Sequence, residues 1–109
     1  MKKLGLNIEL GNLNVTEEDK KKSPIEITTT VIKNILLGYA QQNRGFNEDE
    51  RRQYYKICDI FDLAVKENKE EIEIDDAYLA LIKKSFKETK LMPNDLLRKV
   101  ENLLTEIKE

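Results

Sequence analysis

The chain contains no histidine, and with it go the commonest general base and the commonest zinc ligand. Its single cysteine, Cys58, can neither close an internal disulfide nor supply a Cys-x-x-Cys metal site. A serine or cysteine nucleophile would have no imidazole to activate it. The four scattered glycines form no G-x-x-x-x-G-K and no G-x-G-x-x-G, so a glycine-rich phosphate cradle is excluded. No apolar run approaches the length of a membrane span. The opening MKKLGLNIELGNLN alternates where a signal peptide would carry a continuous apolar core. Charge of one sign is also missing. Nineteen basic and 21 acidic residues intermix to a net −2, which sets up no long-range field toward nucleic acid or anionic lipid. These absences predict a non-enzymatic cytoplasmic protein without cofactor or metal, and without a membrane or nucleic-acid partner.

What is present is hydrophobic patterning on a heavily charged chain, 39% apolar and 37% charged. The 109 residues fit one domain with a modest core. It divides into an N-terminal strand or hairpin arm (1–15), a loop (16–24) and a helical body (25–109). In the arm, Leu4, Leu6, Ile8 and Leu10 alternate with Gly5, Asn7 and Glu9, the pattern of a half-buried strand. Gly11-Asn12 offers a turn back through Leu13 and Val15.

The body reads as two strand–helix–helix units, an α+β chain that is predominantly helical. Ile25–Ile27 is expected as a short strand, followed by a helix with Val31, Ile32, Ile35, Leu36 and Tyr39 on one face. Asn43 to Gly45 ends that helix. Asn47 with Glu50 three residues on is a capping-box pattern. It opens a helix whose Tyr54, Ile57, Cys58, Ile60, Phe61, Ala64 and Val65 span about 160°. Such a wide stripe predicts the central, most buried helix, with Cys58 as a small core residue at its edge. Ile72 and Ile74 mark a second strand, Tyr78, Leu79, Ile82 and Phe86 a third helix. After Pro93 and an Asn94 cap, the stripe from Leu96 to Ile107 makes a fourth. A shift of 47 residues lays IEITTTVIKNIL on IEIDDAYLALIK without a gap. Either the halves are duplicated, or two amphipathic units simply share a pattern. The two Ile-Glu-Ile strands, each too short to stand alone, are expected to pair.

The stretch EEIEIDD carries five carboxylates in seven residues. It does not combine alternating oxygen ligands with the turn glycine and the closing glutamate at the twelfth position that a helix-loop-helix calcium site needs. Alternation turns Glu71 and Glu73 to water, Asp75 stands where an N-cap belongs, and Asp76 falls in the first turn, where a carboxylate favours the helix dipole. The reading is structural. Four apolar residues lie off their helical stripes: Leu37, Tyr55, Leu63 and Leu81. If they converge, they mark a protein–protein surface. An open edge of the N-terminal strand is a second candidate.

The run TTTVIKNILLGY…GFNEDERRQYYKICDIFDLA…IEIDDAYLALIKK resembles small proteins encoded by phages and prophages. The resemblance covers roughly residues 25–90 and rests on helix spacing with Asn34, Gly38, Gly45, Phe46, Arg51, Asp59 and Asp76. It implies a viral origin, a place in the host cytoplasm, and an accessory or assembly role, with no catalytic residue carried over. Three functions compete. The first is an interaction protein that forms a homo-oligomer or docks on a host or viral protein, inhibiting defence or regulating host machinery. The second is an oligomer that sequesters a nucleotide or similar small molecule, with Arg51, Arg52 and Tyr55 as contacts. The third is a component of virion assembly.

Overall fold

A computed structural model describes residues 2–8, 23–91, 95–105 and 107. In chain order it holds β1 (Lys2–Gly5), α1 (Pro24–Gln42), α2 (Glu48–Glu67), β2 (Glu71–Ile74), α3 (Asp76–Glu88) and α4 (Asp95–Thr105). The fold is α+β and predominantly helical, with an N-terminal strand first. The turn expected at Gly11-Asn12, the loop through Lys22 and the Asn94 cap lie outside the described residues.

The strand expected at Ile25–Ile27 does not form. Those residues are the first turn of α1. Ser23 supplies the cap, its Oγ accepting from the Glu26 amide at 3.2 Å. Pro24 fills the first helical position, where its missing N–H costs nothing and its fixed φ suits a helix. Three consecutive threonines follow, poor helix formers by their branching. Here Thr28 donates its hydroxyl to the Pro24 carbonyl at 2.8 Å and Thr29 to that of Glu26 at 3.0 Å, so both groups are buried without an orphaned hydroxyl.

Without a strand at 25–27, the Ile-Glu-Ile pair cannot form, and β2 takes β1 instead. The two run antiparallel, with Lys2 opposite Ile74, Lys3 opposite Glu73, Leu4 opposite Ile72 and Gly5 opposite Glu71. The Leu6 amide extends the ladder to the Glu70 carbonyl at 2.8 Å. Leu4, Leu6 and Ile8 are all buried, so the alternation of the arm is borne out across the described part. Read as a duplication, the halves differ where they should match best: one opens as helix, the other as strand.

The central helix is α1, not α2. It packs against α2, α3 and α4 and buries nine residues, where α2 buries only Ile57, Phe61 and Ala64. Tyr54, Cys58, Ile60 and Val65 are half-buried. Stripe width overstated the burial of α2 because that helix packs chiefly on α1 and α3 and leaves the flank of Tyr55, Asp59 and Leu63 exposed. Its start is as the sequence implied. Asn47 and Glu50 form a reciprocal capping box, and Asn68 ends the helix in the left-handed conformation, which asparagine tolerates. At the end of α1, Gly45 takes φ 109° and donates to the Ala40 carbonyl at 2.6 Å.

Candidate functional site

The acidic stretch divides by role. Ile72 and Ile74 enter the core while Glu71 and Glu73 stay exposed. Asp75 accepts from the Ala77 amide at 2.9 Å and so spends its carboxylate on capping. Asp76 lies exposed in the first turn of α3. Among the described residues no three histidine, cysteine or acidic side chains are grouped to hold a metal. Nor is any helix of the described residues long and apolar enough to cross a membrane.

The three residues named for a small ligand line none of the three grooves beside Leu37, beside Leu63 and between α3 and α4. Arg52 is engaged by Glu48 one turn back, at 2.6 Å, and Arg51 is exposed. Tyr55 is 58% exposed and touches another ring only at Tyr54, 6.2 Å between centroids. That contact ends an aromatic row running from Tyr39 through Phe46 to Tyr54, with centroid separations of 6.2 and 5.4 Å. Around it, Tyr39 donates to Glu50 Oε2 at 3.2 Å, and Lys84 Nζ stands 3.9 Å from the same oxygen. Lys84 is also 5.7 Å from the centre of the Tyr39 ring. The Tyr39 hydroxyl, and then Glu50 and Glu88, hold the Lys84 ammonium above the ordinary lysine pKa. Burial first, then a hydrogen bond with Cys58 and the charges nearby, push the Tyr54 phenol up to about 12. This cluster ties α1, α2 and α3 together. Its groups are satisfied by one another, which suits a clamp better than a binding site.

Of the four off-stripe apolar residues, three are on the surface: Leu37 at 47% exposed, Tyr55 at 58% and Leu63 at 48%. Leu81 is not. At 5% exposed it belongs to the core, because α3 packs against both α1 and α2 and buries two flanks where one was expected. Leu37 and Tyr55 belong to neighbouring antiparallel helices. Lys33 on α1 pairs with Asp62 on α2 and Tyr39 with Glu50, so the partner number falls as the α1 number rises.

Leu63 has a different setting, one that helical periodicity could not reveal. It borders a groove of about 440 Å³ whose other walls are Ile60, Ala64, Lys69 and the strand residues Glu71 to Glu73. Side chains of a strand alternate between its faces. A groove touching three consecutive strand residues therefore runs along an edge. The strand edge expected to be open was that of the arm. The edge that meets a groove is β2's. Two further depressions lie beside Leu37 and between α3 and α4. No known protein family, curated protein or solved structure matches this chain, so its function is read from its own geometry.

Proposed function

We propose that this protein acts by binding other polypeptides, through the outer surface of the α1–α2 hairpin and the groove at its far end. One observation carries the reading. The large apolar side chains that stay in water among the described residues are Leu37, Tyr55 and Leu63, and all three belong to α1 and α2. Isolated exposed leucines are ordinary. Their confinement to one hairpin, while α3, α4 and the sheet expose none, is what favours a contact surface. The resemblance to phage-encoded proteins would make the partner a host or viral protein met in the host cytoplasm. Self-association is the simplest variant of the same reading.

The competing reading, sequestration of a nucleotide by an oligomer, would use Arg51, Arg52 and Tyr55, and it leans on an arginine already paired with Glu48. A photo-crosslinking residue placed at 37, 55 or 63 in the native host should capture a discrete polypeptide, and the same residue at exposed Ala77 or Ala80 should not. Equal labelling from both sets would sink the interaction reading. So would a nucleotide that raises the melting temperature as a tight ligand does, by about 2.7 kcal/mol of stability at 100 times its Kd.

A further inference from the structure

The groove beside Leu63 permits a statement about what enters it, resting on the interaction reading above. In an antiparallel pair, residues opposite each other alternate between those that exchange hydrogen bonds and those whose backbone groups point away. The Leu6 amide bonds to the Glu70 carbonyl, so that pair exchanges bonds. Counting along the register, Leu4–Ile72 and Lys2–Ile74 do so as well. Glu71 and Glu73 therefore direct their N–H and C=O groups to the other side, into the groove. Among the described residues no backbone hydrogen bond meets them there. The edge offers a short ladder, with half-exposed Leu63 and half-buried Ile60 at its flank.

The protein already shows how β2 recognises a strand. On the covered side β1 sets Leu4 into the core and Lys3 on the outer face, opposite Glu73 and 3.9 Å from Glu71. A strand added on the side away from β1 meets the same two carboxylates on the same outer face. Its inner residues face the apolar flank. Pairing with the β2 edge of a second copy is disfavoured, because it would set Glu71 and Glu73 against their own kind, and like charges directly opposite destabilise a sheet.

We infer that the edge of β2 turned away from β1 accepts an extended segment of a different protein, one that alternates basic with apolar residues, as an added strand. Binding is by main-chain bonds to Glu71 and Glu73, ion pairs to their side chains, and apolar contact with Leu63.

The test uses the full chain and three blocked hexapeptides: alternating Lys and Val, alternating Glu and Val, and three Lys followed by three Val. Fluorescence anisotropy measures binding, and amide exchange by NMR reports on the edge. The alternating Lys peptide should bind, and the other two should bind at least about tenfold more weakly, since each misplaced cross-strand pair costs up to about 1 kcal/mol. The amides of Glu71 and Glu73 should exchange freely in the unbound protein and become protected in the complex. Those of Ile72 and Ile74 should be protected in both. Glu71→Lys with Glu73→Lys should reverse the preference toward the Glu peptide, and Leu63→Ser should weaken both, with circular dichroism confirming an intact fold. Equal affinity for the alternating and blocked Lys peptides, no peptide binding, or edge amides that stay unprotected would overturn the inference. Crosslinks from positions 37 and 55 would still stand in those cases, so the strand-addition claim can fail without the broader interaction reading.

Discussion

Ile25-Glu26-Ile27 and Ile72-Glu73-Ile74 are the same three residues in two conformations. The first is helix, the second strand, and all four isoleucines are buried. In a strand that is expected, since alternate residues share a face. In a helix, residues two apart point about 200° away from each other. Burying both requires protein on opposite sides of the helix. The start of α1 has that, as burial of Thr28 and Thr29 also attests. A period of two is therefore the mark of a strand only where one face is wet. The flanks settle which conformation is taken. Ser23 and Pro24 nucleate a helix ahead of one triplet, whereas Glu71 precedes the other, β1 pairs with it, and Asp75 ends it by capping α3.

The sharpest way to break this comparison is to exchange the residue that follows each triplet, Thr28 for Asp75. Thr28 is fully buried, and its hydroxyl donates to a carbonyl. Thr28→Asp would bring a carboxylate, which accepts only, against that same oxygen in a dry setting. An uncompensated buried charge costs more than about 3 kcal/mol, so urea unfolding should show most of the protein's stability gone. A loss below about 1 kcal/mol would mean that the start of α1 opens readily to water.

Next in size are the isoleucines themselves. Ile27 is 3% exposed and Ile74 is fully buried, so Ile27→Ala and Ile74→Ala should each cost about 2–5 kcal/mol. If burial sets the cost and conformation does not, the two values will agree to within about 1 kcal/mol. The distinction should appear in amide exchange. Ile74→Ala should loosen the Leu4 and Leu6 amides, and Ile27→Ala should leave their protection relative to the rest of the core unchanged.

This pair also marks how far the fold was legible before any coordinates. The caps at Asn47 and Asp75, the arm's alternation and the end of α1 near Asn43 could be read because each rests on a few neighbouring side chains, such as Asn47 with Glu50. The strand at Ile25–Ile27 was misread because its period reports surroundings set by distant chain. The burial of Leu81 and the half-exposed state of α2 were missed for the same reason: what lies on the second flank of a helix is not written in that helix. Leu37, Tyr55 and Leu63 were found as surface residues since each breaks a local stripe. The groove beside Leu63 was not, because it needs α2 and β2 together.

The caps give effects of about 1 kcal/mol. Ser23→Ala removes the acceptor of the Glu26 amide, and Asp75→Ala that of the Ala77 amide; each should cost about that much. Their consequences differ in place. Loss of the Ser23 cap should fray the first turn of α1 and expose Ile25, whereas loss of the Asp75 cap should be felt in β2 and α3 together. Far-ultraviolet circular dichroism with urea midpoints measures the first quantity, and residue-resolved exchange the second.

The smallest effect is the other half of the exchange. Asp75→Thr keeps an oxygen at the N-cap of α3, since threonine caps only slightly less well than aspartate, and should cost about 0.3 kcal/mol. Set beside Thr28→Asp, it makes the two directions of one swap differ by roughly tenfold in free energy. That asymmetry follows if position 75 asks only for a hydrogen-bond acceptor at an exposed helix start, and position 28 asks for a donor with nowhere to put a charge. A cost at Asp75→Thr above about 1 kcal/mol would mean that the carboxylate contributes through its charge to the dipole of α3. The two triplets would then be set apart by electrostatics as well as by shape.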